Sequence, residues 1–284
     1  MSRSFKNKRK PLPKLSIGRL EQLKALFASK EWPVNEEIEL SVFERFYRTL
    51  SMLDDNEQNF LINLSYGFDR ITIGDYLRFM VEPLRQLRQD AGSKPLLFVT
   101  CTPKEDVGSV KSSSTVLYQL KGTTIKQHVD LAPKTVVDNI TKISQYKIDS
   151  NTILVLVDDF VGTGDTAVDA VDYIHELLPF LNDNSRIVVF SIVALRQGRD
   201  RLNGIGVKTY CAVERRKAIS EEMNAEKREA SIALMEGIEK RIKKLRKEYK
   251  FGYKGSEALV CLERCPNNTF PIYWLTKDVA PYER

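Results

Sequence analysis

The chain has 284 residues, 42% of them hydrophobic and 29% charged, with a formal net charge of +6. That balance suits a globular protein of one large domain, or one domain with a helical annex, and supplies enough apolar residues for a sizeable core. No apolar run is long enough for a helix to cross a bilayer. Residues 1–14 are rich in proline and carry Arg3, Lys6, Lys8, Arg9, Lys10 and Lys14. They read as a disordered basic tail without the apolar stretch of a secretion signal. Residues 15–90 read as a helical N-terminal extension. Leu20, Leu23, Leu26 and Phe27 share one face, and Val42, Phe43, Phe46, Tyr47, Leu50 and Leu53 share another at spacings of three and four. Asp54 to Glu57 opens the next helix, and Thr72 or Asp75 opens one more, with Tyr76, Met80 and Leu84 on its apolar side.

The character changes at Gly92-Ser93-Lys94-Pro95, and residues 91–284 form the second expected region. Leu96 to Val99 is a continuous apolar run, as in a strand buried on both faces. A polar segment, Lys104 to Ser114, leads to a helix over Thr115 to Leu120. Strands follow at Thr152–Val157, Arg186–Leu195 and Val207–Val213, with a helix at Thr166–Leu178 between the first two. This alternation predicts an α/β fold with a mainly parallel sheet and crossover helices. Residues 214–250 read as a long charged helix with an apolar stripe of Ile232, Met235, Ile238, Ile242, Leu245 and Tyr249. Such a stripe packs on the protein's own body or meets a partner. Ala258–Leu262 is a last short strand, followed by Pro266-Asn267-Asn268-Thr269-Phe270-Pro271.

Cys101 and Cys211 adjoin apolar runs and read as core residues, while Cys261 and Cys265 lack the second ligand pair of a structural zinc site. A reducing cytoplasm suits this usage. His128 and His175 are the two histidines, and no G-x-S-x-G elbow accompanies them, so histidine-based catalysis is not the expectation. His175 falls in a helix and is expected at the surface. The basic tail and the cluster Lys240 to Lys250 are possible contacts for nucleic acid or phosphate-bearing partners. Neither cluster interleaves the aromatics that stack on bases, which favours plainly solvated faces.

The chemistry concentrates after the strand Ile153–Val157. Asp158 and Asp159 follow it directly, then Phe160-Val161, then Gly162-Thr163-Gly164-Asp165-Thr166 and a helix. Parallel sheets bind ligands beyond the carboxyl ends of their strands. A glycine loop entering a helix offers N–H groups and a positive dipole end, to which Thr163 and Thr166 add hydroxyls. That makes a cradle for a phosphate monoester. The two aspartates nearby can meet sugar hydroxyls, directly or through Mg²⁺. A ribose 5-phosphate suits both halves. Two other readings stand beside it. Gly162 to Ala167 also fits the dinucleotide pattern G-x-G-x-x-A, but that pattern starts straight off its strand and needs an acid at the end of the next one, where Leu195-Arg196 stands. The remaining reading is an ordinary polar turn. A P-loop is excluded because no Gly-Lys-Ser/Thr follows.

Leu156 to Thr166 resembles the phosphoribosyl pyrophosphate signature of type I phosphoribosyltransferases: apolar residues, two acids, a short apolar spacer, then Thr-Gly-x-Thr. The resemblance implies the phosphoribosyltransferase type of sheet, with Asp158 and Asp159 as catalytic residues that meet the ribose hydroxyls and Mg²⁺. Gly162, Thr163, Gly164, Asp165 and Thr166 would hold the 5-phosphate. A pyrophosphate loop is expected in Lys104–Ser114, with Lys111 and Ser112 as its candidates. The chain is also similar to a subgroup found in bacterial conflict systems, including antiphage retron and nucleotide-signalling loci, through its helical extension and its Pro266-Asn267-Asn268-Thr269 segment with Pro271 and Trp274. That similarity implies an effector or toxin held by a partner protein or ribonucleoprotein, and phosphoribosyl pyrophosphate or a related nucleotide as ligand. A non-catalytic ribose-phosphate sensor is the alternative. Two departures bear on the choice. Gly162 stands where many purine-salvage relatives carry an acid that serves as base, and Asp165 puts a negative charge in the phosphate loop. Asn267, Asn268 and Thr269 either line a pocket or simply make turns. Arg196 and Arg199 either approach an anionic ligand or sit on the surface.

Overall fold

The computed structural model describes residues 14–35, 41–109, 111–127, 131–181, 183–276 and 279–282. The tail before Lys14 and His128 lie outside the described residues. The elements begin with α1 (Ile17–Ser29), α2 (Val42–Leu50), α3 (Asp55–Ser65), β1 (Asp69–Arg70) and α4 (Tyr76–Ala91). Next come β2 (Leu96–Thr100), α5 (Ser112–Leu120), α6 (Thr123–Gln127), β3 (Thr135–Val137), β4 (Ile153–Val157) and β5 (Phe160–Val161). The chain continues through α7 (Asp165–Leu177), β6 (Ile187–Leu195), α8 (Arg196–Gly204), β7 (Lys208–Arg215), α9 (Ala225–Lys240) and β8 (Val260–Cys261). These elements form two compact units. One combines Met1–Phe68, Glu222–Leu245 and Pro271–Arg284, and the other combines Asp69–Glu221 and Arg246–Phe270.

The first unit is helical. Ser16, Ser41 and Asp54 cap α1, α2 and α3, each accepting from a backbone N–H three residues on, and Glu57 completes a capping box with Asp54. Phe27, Trp32, Phe46, Phe68, Tyr273 and Tyr282 meet mostly edge to face at the centre. The helix expected over 214–250 is shorter, because two forces cut it. Glu214 and Arg215 are taken into β7 by pairing with Ala194 and Leu195. Lys244 adopts φ 61°, which no right-handed helix allows. What remains, α9, buries Met235 and Ile238, and Ile242 just beyond it. It packs on α3, where Arg241 pairs with Asp54 and Glu57. The apolar stripe therefore serves the protein's own body.

The second unit holds a sheet in which every pairing is parallel. The order is β3-β2-β4-β6-β7, with β5 continuing β4 along the same edge of β6. Side chains alternate between two cores. Leu96, Phe98, Val155 and Val157 face α4 and α5, while Leu97, Val99, Leu154 and Leu156 face α7 and α8. α4, read from the sequence as part of the N-terminal extension, belongs to this unit, because its Tyr76, Met80, Leu84 and Leu87 cover the sheet. The α/β reading with crossover helices holds. α8 was not legible: Arg196-Gln197-Gly198-Arg199-Asp200-Arg201-Leu202 offers Leu202 as its one buried apolar side chain. The parallel step from β6 to β7 nonetheless demands a crossover there. Among the described residues no helix is long and apolar enough to cross a membrane.

Candidate functional site

From β2 the chain passes to β3 on one side, and β4 then lies on the other side of β2. The carboxyl ends of β2 and β4 therefore flank a topological switch point, where open parallel sheets leave a crevice. A cleft of about 290 Å³ opens there. Pro103, Glu105 and Asp106 line it from the segment after β2, and Asp158 and Phe160 to Ala167 line it from the segment after β4. Asp169, Tyr253, Asn267 and Asn268 complete the wall.

The two aspartates diverge. Asp158 N donates to Phe190 O at 2.9 Å, so the pleat of β4 still runs through this point. Successive side chains on a strand point to opposite faces, so Asp158 turns to the cleft and Asp159 to the α4 and α5 side. There Ser112 Oγ donates to Asp159 Oδ1 at 2.7 Å, and the Tyr76 hydroxyl lies 3.5 Å from Oδ2. Asp159 is 5% exposed. Asp159 N in turn donates to Asp158 Oδ1 at 2.9 Å, which orients the cleft-facing carboxylate. Burial pushes the Asp158 carboxyl well above the usual range, and the charge of Asp159 pushes it further. Burial raises Asp159 too, against the opposing pull of Ser112 and Asp158. Tyr76 is also raised, first by burial and then by Asp159.

The loop is clamped from two sides. Gly164 takes φ 84° at the start of α7. Gly198 of α8 packs so close that a Cβ would stand 2.4 Å from Gly162 O. A Cβ on Gly162 itself would stand 2.5 Å from the amide of Asn268, whose Nδ2 donates to Ser256 Oγ at 3.1 Å. The space an acid would need at position 162 is thus filled by Asn268. Gly162→Ala should cost about 1–3 kcal/mol through this overlap. Thermal denaturation reads that cost, and an unchanged melting temperature would show that Asn268 swings aside freely.

The expected site residues do not all converge. Asp158 and Gly162 to Thr166 line the cleft, and Asn267 and Asn268 join them. Asp159 does not, since its carboxylate lies behind the strand. Ser112 is spent on Asp159, and Lys111 pairs with Asp106 at 2.8 Å, so neither stands among the cleft's lining residues. Thr269 is buried and donates to Val260 O at 2.6 Å, a structural role. Arg196 and Arg199 both pair with Glu214. His175 is half-buried rather than on the surface, with its ring nitrogens 2.6 Å from Leu181 O and from Asn184 Oδ1. Cys101, Cys261 and Cys265 are buried free thiols, and among the described residues no group of three or more His, Cys, Asp or Glu side chains forms a metal cluster. Sequence reasoning missed Tyr76, Arg201, Tyr253 and Lys254, whose roles depend on contacts with no local signal.

A parallel sheet with an acid-then-glycine-loop segment at its switch point defines a phosphoribosyltransferase-type domain. The chain belongs to the PRTase-CE family, which matches residues 85–283. Among solved structures, the AQ2163 protein from Aquifex aeolicus is similar at 13% identity and a TM-score of 0.28, over 72% of this chain and 86% of that one. A likeness that weak carries no argument. No curated protein matches the chain.

Proposed function

We propose that the cleft binds the ribose 5-phosphate part of phosphoribosyl pyrophosphate or of a related nucleotide, and that the protein is a Mg²⁺-dependent phosphoribosyltransferase-like enzyme. The observation that carries this reading is the segment Asp158–Thr166 at the switch point, with one acid and the whole glycine loop on one wall of the cleft. Backbone N–H groups of the first turn of α7, with Thr163 and Thr166, suit the phosphate. Asp158 suits the ribose hydroxyls, and Asp159, held by Ser112 and Tyr76, positions it. Mg²⁺ commonly takes one or two carboxylates and completes its shell with ligand phosphates and water. Asp158, a half-buried acid with a raised carboxyl, fits such a role, and a bound cation would stabilise charge on the departing pyrophosphate.

A second reading is a sensor that binds the ribose phosphate without turning it over. Asn268 supports it, because it fills the position from which an acid at residue 162 would act as base. On the sequence resemblance alone, we extend the proposal to an effector role in antiphage defence, with a partner protein or ribonucleoprotein holding the activity in check. The basic clusters are proposed contacts for nucleic acid, to be read by binding that falls steeply with salt.

Calorimetric titration with phosphoribosyl pyrophosphate, with and without Mg²⁺, tests the central claim. The expected result is Mg²⁺-dependent binding, and no binding to the folded protein would sink it. Pyrophosphate release in the presence of an acceptor separates the enzyme from the sensor.

A further inference from the structure

The loop that offers donors to a phosphate also carries a carboxylate, and that carboxylate is already engaged. Thr163 Oγ1 donates to Asp165 Oδ2 at 2.8 Å, Lys254 Nζ lies 2.8 Å from the same oxygen, and Arg201 pairs with Oδ1. Burial pushes Asp165 upward, but the hydrogen bonds of Lys254, Thr163 and Arg201 outweigh it and hold the acid at about 2. It is therefore ionised at neutral pH.

The two cations arrive by different routes. Arg201 comes from α8, and its Cδ lies 3.6 Å from where a Cβ on Gly164 would stand. Lys254 comes from a strap in which Phe251, Lys254 and Glu257 take φ of 56°, 53° and 53°. Left-handed conformations at non-glycine residues are strained and persist only where the surroundings enforce them. Here Glu257 Oε2 accepts from Ile219 N at 2.8 Å and Ser220 N at 2.7 Å, and Tyr253 N donates to Asn267 O at 2.8 Å. The strap is thus anchored at both ends of the residue that reaches the loop.

The charge on the wall makes this arrangement informative. Glu105, Asp106, Asp158, Asp165 and Asp169 line the cleft, and among the described residues its lining includes no lysine or arginine. A dianionic phosphate held by backbone N–H groups is bound more strongly with cations beside it, and the lining itself lacks them. Lys254 and Arg201 stand at the loop, with Asp165 as their counter-ion.

Taking the ribose-phosphate reading as given, we propose that Asp165 is a built-in stand-in for the ligand's phosphate. A phosphate monoester entering the loop takes over Lys254 and Arg201, which become its binding cations. Asp165 then determines specificity. Two cations released from a single carboxylate favour a dianion over it, whereas ribose or an unphosphorylated nucleoside has no charge with which to compete.

Titration of the full chain with ribose 5-phosphate tests this, on the wild type and on Asp165→Asn, Lys254→Met and Arg201→Gln. Asp165→Asn is expected to bind roughly tenfold tighter, and each cation variant roughly tenfold weaker, the sign and scale of one unit charge near the ligand. Opposite signs separate the proposal from a structural staple, since a staple weakens binding in all three. Wild-type binding that a cooperatively melting Asp165→Asn leaves unchanged or weakens would overturn the inference and leave the ribose-phosphate reading standing. If that variant fails to fold, unchanged binding in both exposed cation variants overturns it equally. No binding by any of the four proteins removes the reading of the cleft and this inference together.

Discussion

Asp158→Asn/Asp159→Asn is expected to abolish Mg²⁺-dependent ligand binding, by at least about a hundredfold, while making the unliganded protein more stable. The two effects share one cause. Asp158 and Asp159 are adjacent acids, the first half-buried and the second buried, and both carboxyls are raised, chiefly by burial. A folded-state pKa above the unfolded value of about 3.9 means that folding favours the protonated form. The stability from these groups is complete below about pH 4 and is lost as pH rises through their raised folded values. Once pH exceeds their raised folded values, the ionised pair is a liability that the unliganded protein carries for the sake of its ligand. Two neutral amides of the same shape remove it. A gain of about 0.5–2 kcal/mol is expected, the usual scale for relieving a functional strain. Calorimetric melting of both proteins between pH 4 and 8 measures it. The wild type should lose stability as pH rises above about 4, the unfolded carboxyl range, and the variant should lose less. A double variant that melts lower than the wild type at pH 7 would show that the acids are stabilised by partners that outweigh their desolvation. The single variants divide the effect: Asp158→Asn should carry the larger loss of binding, since it lines the cleft, and Asp159→Asn the smaller.

Gly252→Ala is expected to destabilise the sheet unit by roughly 2–5 kcal/mol. Gly252 takes φ 78°, and a Cβ there would stand 2.0 Å from Asn268 O. Positive φ with ψ 167° is a conformation essentially confined to glycine, and it costs an ordinary residue about 1–2 kcal/mol. The overlap adds about 1–3 kcal/mol, because the atom met is backbone and cannot rotate away. Asn268 O also accepts from Ala258 N at 3.0 Å, so any shift loosens the strap. Its side chain presses on Gly162, so the same shift reaches the phosphate loop. At about 2–4 °C per kcal/mol for a unit of this size, the melting temperature should fall by roughly 4–20 °C. A fall under about 2 °C would mean that the 252 and 268 segments move apart freely, and that the loop is not clamped as described.

Much of this protein is written in short stretches of its chain. The caps Ser16, Ser41 and Asp54 act on N–H groups three residues away, so their helices are legible from the residues themselves. The apolar runs of β2, β4 and β6 announce a sheet covered on both faces, and Asp158 to Thr166 announces its loop. All of these signals are local. The signals that failed were also local ones, overruled from a distance. Residues 214 and 215 open a charged stretch that reads as helix, yet the edge of β6 takes them into a strand. α8 has almost no apolar face, and only the need to cross from β6 to β7 explains it. The adjacent acids look like one pair in the sequence. The pleat divides them, and Tyr76, 83 positions away, receives the second. Lys254 lies 89 positions beyond Asp165, and no periodicity connects them. Chain order thus determined which groups of this site exist and where the loop begins. Tertiary structure alone decided which acid meets the cleft, which cations stand at the loop and why residue 162 must be glycine. Each of those depends on two distant segments packed at van der Waals distance, a condition that local propensity does not encode.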